Sequence, residues 1–407
     1  MRTLITILCI LHLGFCQAAS LLIPMDKLQK NHLKAYGIAF LALEQDMVVD
    51  WLLNYRGGSF LMEFSTGIES ECVVRGVTYE IVSSAQSNTI LRNISGPSAN
   101  MHLVRMGRAP KIAVYSPRNE LIEDDSDAVL LVLDYAEIPY EIIYDPEILD
   151  DQLVMFDWLH LHHEDFTGQV DKFNWRESAR LENEMQIINA QRLGYASVPE
   201  MKRDVVQKIK IFLAGGGYLF AMCSGAETFD LALSAEELEI NPFDYEILDP
   251  ELNFKNTLAF ENFILEQGYS RRYSDINVGG GFEEDLGYFN IFEFSAKTDI
   301  VPSILTQNHE QMIPEFFGRT TAFNKYTVKP TALILGENGE NGNVRYIYGE
   351  LGNGHWSYYS GHDPERRSYR GRNTSPTDLS LFPNSPGYRL ILNNVLFPST
   401  RKKRQKT

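Results

Sequence analysis

From residue 19 onward, short apolar runs alternate with stretches where apolar residues recur every three or four positions, which predicts strands alternating with helices. Leu21-Leu22-Ile23-Pro24-Met25-Asp26 predicts a buried strand ended by a turn. Asn31 is placed to cap a helix with Leu33, Tyr36, Gly37, Phe40 and Leu41 on one face. Val48 to Asn54 predicts a second strand, closed by Arg56-Gly57-Gly58, so that the three elements read as a β-α-β unit. Weaker strand and helix signals run from Tyr79 to Arg108 and stop at Gly107-Arg108-Ala109-Pro110.

A second α/β run starts there. Strands are predicted at 111–115, 140–145, 155–162 and 218–222, and helices at 125–137, 177–192, 199–213 and 226–233. This order implies a doubly wound, mostly parallel sheet with ligands at the carboxyl ends of its strands. The aromatic- and Gly-rich stretch near 241–325 reads as an insert over the sheet edge. Antiparallel strands then deliver Gly361-His362-Asp363-Pro364-Glu365. The domain reading is an N-terminal α/β domain over 19–108, a larger domain over 109–400 and a basic tail over 401–407.

The first eighteen residues change the expected address. Arg2, the apolar run from Leu4 to Phe15 and the small residues near Ala18 read as an export signal, too short for a membrane span and interrupted by His12. A secreted or periplasmic protein with no transmembrane segment is expected. The net charge of −17 includes five positive charges in the last seven residues, so the body before them carries −22. Such a surface repels phosphate backbones and argues against nucleic acid as a partner. Of the four cysteines, Cys9 and Cys16 fall in the signal, leaving Cys72 and Cys223. In an oxidising compartment those two form a possible disulfide.

Cys223 is predicted at an abrupt turn from a buried strand into a helix. That turn presents a thiol at a helix N-terminus, whose partial positive charge favours the thiolate. The Ser224 amide is placed to donate to an oxyanion, and Gly225 lets the turn close. A nucleophile needs a base, and the base an orienting group; His362 and Glu365 suit those roles. The run His160-Leu161-His162-His163-Glu164 places His160 and His162 on one strand face, either lining the cleft or forming half of a metal site. Arg56 in its glycine turn is a candidate anion binder, against the plainer reading of a hinge with a surface arginine.

The segment Gly216-Gly217-Tyr218-Leu219-Phe220-Ala221-Met222-Cys223-Ser224-Gly225 resembles the nucleophile elbow of class I glutamine amidotransferases, and Gly361 to Glu365 resembles their histidine–glutamate element. The resemblance spans roughly 109–398. It implies a flavodoxin-like core and a Cys-His-Glu hydrolase: Cys223 as nucleophile, His362 as base, Glu365 as its orienter, and Ser224 in the oxyanion hole. The chain departs from that pattern in Ala221, where glycine is usual, in the three-residue His362 to Glu365 spacing, and in the His-rich loop replacing a glycine-rich one. The whole chain also resembles secreted bacterial proteins labelled asparagine synthetase B. It has neither the N-terminal cysteine of that enzyme nor a Gly-rich pyrophosphate loop for ATP.

The expected function is therefore an exported amidohydrolase acting on a small amide or peptide-derived ligand, with no cofactor and no metal. Two alternatives stand beside it. One is a catalytically degenerate binding or envelope protein on the same fold. The other is a metal-dependent hydrolase using the His160–His163 cluster.

Overall fold

The computed structural model describes residues 19–115, 127–162, 164–170, 177–238, 252–262, 288–306, 310–316, 323–365 and 376–400. The expected signal segment over 1–18 and the tail over 401–407 therefore lie outside the described residues, as does much of the expected insert. The N-terminal elements are β1 (Ala19–Ile23), α1 (His32–Glu44), β2 (Val49–Leu53), β3 (Ser59–Glu63), α2 (Thr66–Val74), β4 (Glu80–Ser83), α3 (Ser84–Ser95) and β5 (His102–Met106). Their strands form one sheet in the order β4-β1-β3-β2-β5, every neighbouring pair antiparallel. β1 and β2, each antiparallel to β3, run parallel to one another and are joined by α1, so the expected β-α-β unit is split by β3, a strand the sequence reading missed. Gly57 (φ 80°) and Gly58 (φ 89°) do not merely end β2; they reverse the chain into β3.

The period-two pattern sorts these strands' side chains. Leu21, Ile23, Trp51, Leu53, Phe60 and Met62 join a core with α1, while Leu22, Leu52 and Leu61 pack with Ile90 and Ile94 of α3. Asn31 caps α1 by accepting from the Lys34 amide, as its position predicted.

His32 opens α1 with its Nε2 3.0 Å from the Asp26 carbonyl oxygen. Burial, helped by the Arg389 charge, holds its imidazole down to about 4. The folded state therefore prefers the neutral ring. Its contribution is complete above the ordinary histidine value and is lost as pH falls from about 6.5 towards 4, amounting to about 3 kcal/mol. Urea titrations of the parent and of His32→Asn across that window should diverge in this direction. Parallel curves would refute it.

The larger unit comprises β6 (Ile112–Tyr115), α4 (Ala128–Ala136), β7 (Glu141–Ile143), α5 (Asp145–Leu149), β8 (Trp158–Leu161), α6 (Glu177–Arg192), α7 (Val198–Ala214), β9 (Tyr218–Met222), α8 (Cys223–Ser234), β10 (Phe289–Ile291), α9 (Pro302–Leu305), β11 (Met312–Ile313), β12 (Leu333–Glu337), β13 (Val344–Leu351), β14 (Gly354–Tyr359) and α10 (Pro386–Leu396). The sheet order is β11-β10-β12-β13-β14-β9-β8-β6-β7. From β14 to β7 the neighbours run parallel; from β14 to β11 they run antiparallel. The protein is thus a mixed α/β structure with one antiparallel and one mixed sheet. Part of the insert, instead of covering the sheet edge, extends it through β10 and β11.

Helices α1, α4 and α10 contact one another and share one apolar core with inward faces of both sheets. The other face of the mixed sheet carries Leu159, Leu161, Leu219 and Ala221 against α7 and α8. Every residue of β9 is buried, so the strand that delivers Cys223 is fixed from both faces. No described helix is long and apolar enough to cross a membrane.

Candidate functional site

Three neighbouring parallel strands end at one level. Leu161 of β8 pairs with Ala221 of β9, and Met222 of β9 pairs with Tyr359 of β14. The residues that follow therefore emerge together at the carboxyl edge. From β9 the chain turns directly into α8, and Cys223 takes φ 48°, in the left-handed region that a side chain with a Cβ rarely adopts. Such a conformation costs on the order of 1 kcal/mol or more and persists where surrounding contacts impose it.

Those contacts are specific. The Cys223 amide donates to the Gly361 carbonyl at 3.2 Å, and the Gly225 amide donates to the His162 carbonyl at 2.6 Å. A Cβ on Gly225 would lie 2.7 Å from that same oxygen, so only glycine lets the elbow press against the end of β8. Gly361, at φ 112°, makes the corresponding turn after β14.

The elbow gathers His162, Cys223 and His362. Their ligand atoms, one ring nitrogen from each histidine and the cysteine Sγ, lie within 4.8 Å of one another. The two imidazoles stack with centroids 4.9 Å apart and planes at 26°. Cys223 is partly exposed, whereas His162 and His362 are buried. Cys72 is buried on α2, and Cys72 and Cys223 are not joined in a disulfide.

Behind His162 stands Asp127, which no sequence feature had singled out. Its Oδ1 caps α4, accepting from Val129 at 2.7 Å and Leu130 at 3.3 Å. Its Oδ2 lies 3.0 Å from His162 Nδ1 and 3.1 Å from His160 Nε2. Burial alone would raise this carboxyl. The imidazoles of His162 and His160 outweigh burial and hold it well below the usual carboxylate range. An aspartate before an apolar helical run signals a cap. Nothing in the sequence says that its second oxygen turns towards a strand.

The remaining expected site residues divide. His160 is fully buried, with Nδ1 3.1 Å from the Phe220 carbonyl oxygen, so it lies behind the cleft and does not line it. Ser224 sits in the first turn of α8, its carbonyl accepting from Thr228 Oγ1 at 2.8 Å. Glu365 faces Ser385 at the start of α10; burial pushes its carboxyl up, against the Ser385 hydrogen bond. Beside His162 the carboxylate is Asp127. Asp363 organises its own turn, accepting from the Tyr388 hydroxyl at 3.0 Å, from the Glu365 amide at 2.9 Å and from Thr377 Oγ1.

Glu164 leaves the cleft altogether, for a buried ion pair with Lys202 at 3.1 Å. Arg56 belongs to the β2–β3 turn, where it pairs with Asp26 at 2.6 Å and Glu80 at 2.8 Å. Its cation is already matched by two carboxylates, which suits the plainer reading over an anion site. His163 lies outside the described residues. One further residue was not foreseen: Glu227, one turn beyond Cys223 on α8, is 1% exposed, and burial holds its carboxyl well above the ordinary range.

Compared by sequence, the chain matches no protein-family model and no curated protein. Compared by structure, it is similar to a cytoplasmic protein from Salmonella typhimurium, with 11% identity and a TM-score of 0.38 over 71% of this chain and 98% of that one. It is also similar to the N-terminal domain of mmIFT52, with 11% identity and a TM-score of 0.30 over 72% of this chain and 100% of that one. A β-galactosidase from Bacillus circulans sp. alkalophilus matches with 13% identity and a TM-score of 0.28, over 64% of this chain and 29% of that one.

Proposed function

We propose that this chain is an exported thiol hydrolase of the glutamine amidotransferase type, cleaving a small amide or peptide-derived substrate at Cys223. The observation that carries the reading is the line Asp127–His162–Cys223 at a left-handed strand-to-helix elbow. Asp127 Oδ2 lies 3.0 Å from His162 Nδ1, a pairing that orients the imidazole, and the reading gives the thiol proton to its other ring nitrogen. The parallel strands from β14 to β7 then serve as the doubly wound core of that family, with the site at their carboxyl ends.

In this reaction the Cys223 sulfur attacks the substrate carbonyl carbon while His162 holds the thiol proton. A C–S bond forms, and the oxyanion is met by the Ser224 amide at the positive end of α8. The C–N bond then breaks, and His162 returns the proton to the departing amine. Water attacks the thioester with the same imidazole as base, releasing the acid and the free thiol.

The test is the alkylation of Cys223 by iodoacetamide in the full chain, followed by intact mass. The parent should react faster than glutathione at neutral pH. His162→Ala should slow labelling about tenfold or more, and Glu365→Gln should leave it unchanged. A parent rate equal to that of glutathione, indifferent to His162→Ala, would leave only the binding-protein alternative.

A further inference from the structure

Hydrolysis by a thiol uses one imidazole as base, yet two imidazoles face Cys223. His162 and His362 each bring a ring nitrogen within 4.8 Å of the sulfur and of each other. We propose that His162, Cys223 and His362 form a binding site for one soft divalent ion of the zinc class, and that its occupancy silences the thiol. As a statement about metal binding, this stands on its own geometry; as a statement about control of Cys223, it rests on the hydrolase reading.

The donor set is what such an ion selects. Two imidazoles and a thiolate suit zinc or cobalt and exclude magnesium and calcium, which require oxygen. With Zn–S near 2.3 Å and Zn–N near 2.0 Å, tetrahedral donors sit about 3.3 to 3.6 Å apart, so the triangle needs at most about 1.5 Å of closing. The three donors come from the ends of three adjacent strands, locked together by the Gly225-to-His162 and Cys223-to-Gly361 hydrogen bonds. The partial exposure of Cys223 leaves a fourth position for water and a route in from solvent.

The shell behind the donors fits as well. A ligating histidine ordinarily donates its other ring N–H to a carboxylate. His162 brings Nδ1 to 3.0 Å from Asp127 Oδ2, and Asp127 is itself fixed by its cap on α4. A second cluster, Asp127 with His160 and His162, also brings ligand atoms close together. All three of those residues are buried, His160 completely, and the set holds no thiolate, so it offers an ion neither the open face nor the soft donor that Cys223 supplies. The triangle around Cys223 is the site.

The experiment uses full-length protein stripped with a chelator and titrated with cobalt(II), then with zinc(II) against a chromogenic chelator. One ion should bind per chain, with a thiolate-to-cobalt charge-transfer band and the intense visible absorption of tetrahedral cobalt. Cys223→Ser should abolish the charge-transfer band. His362→Ala should weaken binding at least tenfold, and Asp127→Asn should weaken it about tenfold while keeping the band. Magnesium should not compete. Zinc should block iodoacetamide labelling of the parent, and chelation should restore it.

No binding at micromolar zinc, or binding equally tight in Cys223→Ser and His362→Ala, overturns the proposal. The hydrolase reading fails by a different sign. Metal-free protein would then label slowly whether or not His162 is present, whatever the cobalt spectrum shows.

Discussion

Lys202→Met should lower unfolding stability in urea by about 4 kcal/mol, because it strips the counter-charge from two buried carboxylates. Lys202 is fully buried in α7. Its Nζ donates to Asp145 at 3.1 Å and to the Tyr115 hydroxyl at 2.6 Å, and it pairs with Glu164 at 3.1 Å. Tyr115 in turn donates to Asp145. Burial pushes the Glu164 carboxyl up to about 7, even with Lys202 opposing it. A folded-state value above the ordinary one means that the stability tied to Glu164 is complete below about 4.5 and is lost as pH rises through 7. The deficit of Lys202→Met should therefore be larger at pH 8 than at pH 5. Adding Glu164→Gln should recover part of it by removing one of the stranded charges. A Lys202→Met protein within about 1 kcal/mol of its parent at pH 8 would mean that water, not lysine, neutralises the cluster.

That cluster also marks where sequence reasoning stops. Glu164 follows three histidines and a strand that were legible, since Trp158 to Leu161 is short, apolar and bounded by turns. Strand alternation puts Leu159 and Leu161 on the α7–α8 side and His160 and His162 on the other. Alternation ends with the strand, so nothing local told Glu164 to turn towards α7 and not towards the thiol. The elbow was legible for the opposite reason: a fully apolar strand running into Cys-Ser-Gly-Ala leaves few conformations. His362 was legible as the residue beyond a strand, but the carboxylate beside the other imidazole, His162, was not. Glu365 is three positions away in sequence and faces Ser385; Asp127 is far away in sequence and reaches His162 because α4 begins at the carboxyl edge of the same sheet. In the N-terminal unit, Ser59 to Glu63 was lost because two glycines look the same whether they end a strand or reverse it.

Asp230→Ala should cost about 4 kcal/mol, and it should do so by loosening the helix that begins at Cys223. Asp230 lies on α8, fully buried, and uses both oxygens as acceptors. Oδ1 takes the Leu258 amide at 2.8 Å and the Tyr358 hydroxyl at 2.9 Å; Oδ2 takes the Ala259 amide at 2.9 Å and the Phe260 amide at 2.8 Å. Three consecutive backbone N–H groups thus have one side chain as their acceptor, and each costs about 1 to 3 kcal/mol if left buried without one. Tyr358 belongs to β14, beside β9, so the same carboxylate ties α8 to the strand that leads to His362. Asp230→Asn separates this account from a simple packing effect. An amide keeps one acceptor oxygen and turns an NH2 towards at least one of the remaining donors, so it should recover less than half of the loss despite its equal size. In both variants Cys223 should alkylate with a weaker response to His162→Ala, because the elbow would no longer be held against β8. Stability within about 1 kcal/mol of the parent for Asp230→Asn would show that the 257–260 segment is not anchored through this carboxylate.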